Sequence, residues 1–249
     1  MVMSHHVVDV RDLFYAYPDG TEALKGVSFH IEHGAAVALV GANGAGKSTL
    51  LLHLNGYLPV ERGEVRIGDV PLTRETAAAV RRSVGMVFQD PDDQLFMPTV
   101  AEDVAFGPLN LRLPPAEVEQ RVVSALDRVG LLHRRERPPY RLSAGEKRAA
   151  AIATVLALAP DILVMDEPSS YLDPRGRRRL IHLLRSFEHT RIIATHDLEL
   201  VVDVCSRVIV MDGGKIVADG PTHDILNDET LMQAHGLERP HSLLHHHPH

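Results

Sequence analysis

Short apolar runs bounded by glycine, proline or polar clusters recur along the chain and alternate with stretches of helical periodicity. Residues 36–40, 84–88, 161–167 and 191–195 are rich in aliphatic and β-branched side chains, as strands buried on both faces of a parallel sheet are. Nearer the start, residues 7–17 mix β-branched and aromatic side chains. They are followed by the turn Pro18-Asp19-Gly20 and a second strand-like run, 24–31, which predicts a hairpin. A short strand is expected over 63–67, and a second hairpin over 207–211 and 215–218 around Asp212-Gly213-Gly214. Helices are predicted over 48–54, 99–106, 117–129 (opened by Pro114-Pro115), 143–158, 176–187 and 198–204, with a last one starting over 221–226. This pattern predicts an α/β fold with a mixed sheet, an N-terminal antiparallel β subdomain and a mostly helical subdomain inserted over about residues 89–158.

Composition narrows the picture. The 249 residues suit one large α/β domain or a domain with an inserted lobe, here residues 1–239. No apolar run reaches the roughly 18–20 residues that span a bilayer, and the start, Met1-Val2-Met3-Ser4-His5-His6, has no apolar centre like that of a cleavable leader. The single cysteine, Cys205, excludes an internal disulfide and fits a reducing compartment. A formal net charge of -7 argues against an extended nucleic-acid surface, so no nucleic-acid partner is expected. Arg175, Arg177, Arg178 and Arg179 read either as a nucleic-acid patch or as a solvated helix face carrying salt bridges, and the acidic total favours the latter. Residues 240–249 form a His-rich tail, too short and biased to pack as a domain and expected to be unstructured. His241, His245, His246, His247 and His249 read as a metal-collecting arm suited to Ni²⁺, Co²⁺ or Zn²⁺, or as a solvated end.

The most specific chemistry lies in Gly41-Ala42-Asn43-Gly44-Ala45-Gly46-Lys47-Ser48, which fits the phosphate-binding P-loop G-x-x-x-x-G-K-[ST]. A buried strand precedes it and a helix, beginning Ser48-Thr49, follows, as that loop requires. Its glycines let backbone N–H groups turn toward phosphate oxygens, and the helix N-terminus adds partial positive charge. Lys47 is expected to reach the β- and γ-phosphates of a nucleotide, and Ser48 to ligate Mg²⁺. The 161–167 strand ends in Asp166-Glu167, a pair suited to holding Mg²⁺ through Asp166 and an attacking water beside Glu167. Ser143 and Glu146 fit S-x-x-E, a capping box that also leaves a helix N-terminus able to meet an anion. Tyr17 reads as an edge-strand tyrosine or a stacking platform for a purine. His196 reads as a structural histidine or a γ-phosphate contact.

In this order the parts resemble the nucleotide-binding subunit of an ABC transporter over residues 7 to 239. Tyr17 matches the adenine-stacking A-loop aromatic, Gly41 to Ser48 the Walker A loop, and Gln89 the Q-loop glutamine. Leu142-Ser143-Ala144-Gly145-Glu146 matches the signature motif, and Asp166 with Glu167 ends Walker B. Ser170-Tyr171-Leu172-Asp173 matches the D-loop and His196 the H-loop. Residues 89–96 and 99–107 are similar to the Q-helix region of energy-coupling-factor ATPases. Ala194-Thr195-His196-Asp197-Leu198-Glu199-Leu200 and the His-rich tail resemble the cobalt/nickel branch.

The resemblance implies an ATPase that powers an importer, for cobalt or nickel or for another micronutrient such as a vitamin. The competing readings are a soluble ABC ATPase of DNA repair or translation, and a P-loop kinase or GTPase. The first lacks its usual insertions here, and the signature and His196 argue against the others. The implied assembly is a head-to-tail pair of ATPase subunits on integral membrane subunits, at the cytoplasmic face of the cell membrane and peripheral to it. Tyr17, Gly41, Ala42, Asn43, Gly44, Ala45, Gly46, Lys47, Ser48, Thr49 and Gln89 of one subunit, with Ser143 and Gly145 of the other, would hold ATP, and Asp173 would be a further nucleotide-binding residue. Ser48, Gln89 and Asp166 would hold Mg²⁺, and Glu167, His196 and Lys47 would act in catalysis. Three departures are visible. Ala144 replaces a glycine, Glu146 replaces a glutamine, and Tyr171 stands where the D-loop carries a smaller residue. Glu146 is expected to turn back onto Ser143. Residues 90–106 are expected to be exposed, with Leu95, Phe96, Val100 and Phe106 available to a membrane subunit.

Overall fold

The structure, a computed structural model, describes residues 8–244. Strands β1 (Val8–Ala16) and β2 (Glu22–Ile31) form the expected antiparallel hairpin. β3 (Ala36–Val40) runs into the glycine-rich loop and helix α1 (Lys47–Leu54). β4 (Arg62–Ile67) pairs with β1, and a two-residue strand β5 (Val70–Pro71) extends that sheet in the order β2-β1-β4-β5. Sequence periodicity does not predict β5 or the short helix α2 (Ala77–Ser83) that follows, because each is too brief to show a repeat.

After β6 (Val84–Val87) the chain is helical as far as Leu156, through α3 (Val100–Asn110), α4 (Pro115–Arg128), α5 (Ala144–Leu156) and three 3₁₀ turns. Thr99 caps α3 and Ser143 caps α5, each with a reciprocal Glu three residues on. The chain then returns to the sheet through β7 (Ile162–Asp166), α6 (Pro174–Ser186), β8 (Thr190–Ala194), α7 (Leu198–Val204), β9 (Arg207–Asp212) and β10 (Lys215–Pro221). It closes with α8 (Thr222–Asn227), α9 (Glu229–Ala234) and α10 (His241–Leu244).

The six-stranded sheet has the order β10-β9-β3-β8-β7-β6. β10 is antiparallel to β9 and the other pairings are parallel. Alternation along β3 divides the interior into two cores. Val37 and Leu39 face Leu50, Leu51 and Leu54 of α1 and the N-terminal hairpin, whereas Ala38 and Val40 face the core built with the helical segment. Burying each such leucine is worth about 2 kcal/mol, and both faces of β3 are covered.

Two expectations are corrected. Leu95 and Val100 are not surface residues: both belong to the core beneath the helical segment. Val100 begins a capped helix whose start is tied down by backbone bonds from Val100 and Ala101 to Arg137 and Arg135. The stretch from Pro240 is also not unstructured throughout. Residues 241–244 form one helical turn, Leu243 is buried, and the Ser242 N–H donates to Glu199 Oε1 at 3.1 Å. The remaining tail histidines, His245, His246, His247 and His249, lie outside the described residues.

Candidate functional site: a phosphate loop beside paired carboxylates

Of the five parallel strands, β3, β6, β7 and β8 carry site residues at their C-terminal ends, the edge of the sheet where α/β folds place ligands. β3 delivers the loop of Gly41, Ala42, Asn43, Gly44, Ala45 and Gly46. Its tip, Ala42, Asn43 and Gly44, is exposed. Gly46 adopts φ 102° at the cap of α1, and a Cβ there would stand 2.6 Å from the Ala23 carbonyl oxygen. At Gly41 a Cβ would fall 2.1 Å from the Met211 carbonyl oxygen. Backbone carbonyls of β2 in the N-terminal sheet and of β9 in the six-stranded sheet therefore forbid side chains at these two positions. Lys47 is buried, and its Nζ donates to the carbonyls of Gly41 at 2.7 Å and Ala42 at 3.1 Å. Burial lowers its pKa, opposed by the nearby Glu167 and Asp166 carboxylates. The ammonium is thus held at the loop by groups that an incoming phosphate would replace.

β7 delivers Asp166 and Glu167, both buried. Burial raises the Asp166 pKa, and the hydrogen bond from the Ser48 hydroxyl acts against that rise. The Ser48–Asp166 pair brings together a hydroxyl and a carboxylate, hard oxygen donors suited to Mg²⁺. Glu167 takes a left-handed backbone, φ 48°, while its N–H bonds the Ala194 carbonyl at 2.8 Å. Its Oε2 lies 3.0 Å from the Thr195 hydroxyl, 3.3 Å from the His196 N–H and 2.8 Å from His196 Nδ1. Thr195 and His196 reach it because β8 lies between β3 and β7. Thr195 lies in the 194–200 run, but the sequence assigns it no role of its own. Only its place after a buried strand, beside His196, could have drawn attention to it.

Gln89, just beyond the end of β6, is exposed. With Ser48, Asp166 and Asp90 it lines a cleft of about 640 Å³, in the range of small-ligand sites. Tyr17 stands beside α1, its hydroxyl 2.9 Å from the Thr49 hydroxyl, and its ring meets Tyr15 edge to face at 5.1 Å.

Ser143, Gly145 and Asp173 do not line that cleft. They border a second groove of about 680 Å³, while Ala144 and Tyr171 stand on the ridge between the two. Ser143 Oγ accepts from the Glu146 N–H at 3.3 Å, and Glu146 Oε2 accepts from the Ser143 N–H at 2.9 Å, so Glu146 turns back as expected. Arg134 Nε adds a bond to Glu146 Oε1 at 3.1 Å. Asp173 caps α6 through the Gly176 N–H at 2.6 Å. Tyr171 is 72% exposed with φ 66°, a backbone shape that disfavours a bulky side chain. In the basic helix, Arg177 pairs with Asp197 at 3.1 Å and Asp203 at 3.6 Å, as a solvated face would.

Comparison with known proteins agrees with this geometry. The sequence pattern of the ABC transporter family matches residues 24–170. A putative ABC transporter ATP-binding protein of Geobacter sulfurreducens is 64% identical over 97% of this chain and 97% of its own. The energy-coupling factor transporter ATP-binding protein EcfA of Methanocaldococcus jannaschii is 47% identical over 92% of this chain and 84% of its own. Among solved structures, cbiO1 from Clostridium perfringens, part of the ABC transporter complex cbiONQ, superposes with a TM-score of 0.80. It is 38% identical, and the match covers 92% of this chain and 94% of that one. A glycine cradle shaped by the sheet, a carboxylate pair at its side and relatedness along nearly the whole length lead to one conclusion: the chain belongs to the ABC transporter family, as an ATP-hydrolysing subunit of the energy-coupling-factor kind.

Proposed function

We propose that this subunit powers a cobalt or nickel importer from the cytoplasmic face of the membrane, peripheral to integral subunits that carry the ion. Lys47 and the loop N–H groups hold the phosphates of ATP, Thr49 supports the loop from α1, and Tyr17 offers its ring to the adenine. Ser48, Asp166 and Gln89 would hold Mg²⁺, which would supply charge neutralisation to the phosphate oxygens. Glu167 orients the attacking water and accepts its proton, and His196 contacts the γ-phosphate. Ser143, Gly145 and Asp173 serve the nucleotide of a second copy. ATPases of this family pair and work with membrane components. The separation of Ser143 and Gly145 from the Ser48–Asp166 cleft supports a head-to-tail pair here.

The observation that carries the coupling is an exposed apolar patch past the Q-loop. Phe96 and Phe106, 63% and 42% exposed, meet edge to face at 4.9 Å, with Leu109 and Leu111 also exposed nearby in the chain. Among the described residues no helix is long and apolar enough to cross a membrane, so the ion path must come from other chains. The metal assignment is supported by the resemblance of residues 194–200 and the His-rich end to the cobalt/nickel branch, and by the likeness to cbiO1.

The test is to isolate the complex from detergent-solubilised membranes, identify its subunits, and measure Co²⁺ and Ni²⁺ uptake in cells carrying the native chain or Glu167→Gln. Co-purifying membrane subunits and metal uptake lost in the variant are expected. An intact complex without metal uptake would assign another solute, and a chain free of membrane subunits would overturn the importer reading.

A further inference from the structure

Among the described residues Arg148 is the largest fully buried side chain, with 0% exposure, and it makes no salt bridge there, although the more distant Asp166 and Asp90 carboxylates favour its charge. It belongs to α5, the helix that begins at the signature turn. Its guanidinium donates to two successive backbone carbonyls, Phe88 at 2.6 Å and Gln89, leaving Nε without a partner. A buried cation whose partners are neutral carbonyls is an expensive arrangement. The carbonyls it holds belong to the two peptide bonds on either side of Gln89.

Arg148 does not act alone. Gln94 Oε1 accepts from the Phe88 N–H at 3.2 Å, while its Nε2 donates to the Ala151 carbonyl at 3.0 Å and the Thr154 hydroxyl at 2.7 Å, both on α5. Lys147 Nζ, also on α5, bridges to both oxygens of Asp92, at 2.6 and 2.8 Å. Three separate turns of one helix thus grip the backbone and side chains of residues 88–94.

We propose that Arg148, with Gln94, is a positioning residue: a polar clasp that makes Gln89 and the signature turn of the same subunit move as one body. The clasp rests on the reading of Gln89 as a nucleotide contact. Nucleotide drawn to Gln89 then carries α5 with it, and Ser143 and Gly145 arrive at the second subunit only when the first is loaded. Without the clasp, Gln89 and the signature turn are free to respond separately. ATP still enters the P-loop, but closure no longer follows.

The experiment compares full-length Arg148→Met, Arg148→Lys and Gln89→Ala with the parent chain. ATP turnover, ADP affinity and amide hydrogen exchange of residues 88–94 are measured in each. For Arg148→Met, ADP affinity should stay within about twofold, kcat should fall by about tenfold or more, and exchange over 88–94 should quicken while β3 stays protected. Arg148→Lys should recover part of the rate, since an ammonium can reach one of the two carbonyls. If Arg148→Met does not fold, Gln94→Leu cuts the same clasp from its other side, and the same split is expected. Loss of ADP binding in proportion to turnover, with exchange raised throughout, would show a merely structural arginine and overturn the proposal. Slow turnover in Gln89→Ala beside normal turnover in Arg148→Met would overturn the clasp alone. Normal turnover in Gln89→Ala would overturn the reading of Gln89 and the clasp with it.

Discussion

His196 Nδ1 lies 2.8 Å from Glu167 Oε2, and the same oxygen is reached by the Thr195 hydroxyl and the His196 N–H. One residue pair at the tip of β8 therefore fixes the carboxylate at the tip of β7. Glu167 faces the P-loop edge with its orientation set before nucleotide arrives, although His196 itself is exposed.

Glu167→Gln should bind ATP and accumulate as an ATP-bound pair while turnover falls by about 10²-fold or more, the contribution expected of a positioned general base. Single-turnover hydrolysis and size-exclusion chromatography with ATP check both parts. Turnover close to the parent rate would remove Glu167 from the chemistry.

Thr195→Val keeps the shape of a fully buried side chain and deletes its hydroxyl. Glu167 loses a donor, and the Asp197 N–H loses the acceptor it holds at 3.0 Å. The expected cost is about 1–3 kcal/mol in stability for the unpaired N–H, with kcat falling more than ATP affinity. Denaturant titration and steady-state kinetics on the folded protein separate the two. An unchanged kcat would mean that His196 alone orients Glu167.

The Glu146 pKa is lowered, first by the hydrogen bond from the Ser143 N–H, with Arg134 also contributing. A depressed carboxylate pKa stabilises the fold above its unfolded value, and the benefit disappears as pH falls through the folded value. Glu146→Gln should therefore melt lower than the parent near neutral pH, by about 1 kcal/mol or less. The gap should close as the solution is acidified below the ordinary carboxylate range. Melting curves against pH provide the check, and a gap that widens on acidification would contradict the capping role.

Phe96→Ser with Phe106→Ser removes the exposed edge-to-face pair and leaves Leu95 and Val100 of the core untouched.

 Both Leu95 and Val100 stay packed in that variant, so the fold should hold. Basal ATPase activity should persist while uptake by the assembled complex is lost. Equal loss of both activities would make the patch structural.

Deleting residues 245–249 should leave ATPase activity unchanged and reduce Ni²⁺ or Co²⁺ binding by the isolated subunit, because it removes four of the five tail imidazoles. Extending the deletion back to His241 should also lower stability, since it takes away buried Leu243. Equal metal binding by the full chain and the shorter deletion would show the tail to be inert.

What the sequence by itself determined is what depends on residues close together in the chain. The P-loop is legible because its glycines, Lys47 and Ser48 act within eight positions between a strand and a helix. The Ser143–Glu146 capping box is legible for the same reason: its two bonds span three residues. Buried strands such as Ile162–Asp166 declare themselves through continuous apolar character.

What only the tertiary structure decided depends on which distant segments meet. The placing of β8 between β3 and β7 brings Thr195 to Glu167, 28 positions away. Nothing local marks Arg148 as buried, because its partners lie 59 and 60 residues earlier. Leu95 and Phe96 are neighbours of similar hydrophobicity, yet one is buried and the other exposed. Composition cannot separate them, since burial is set by the direction each side chain takes against helices that arrive later in the chain.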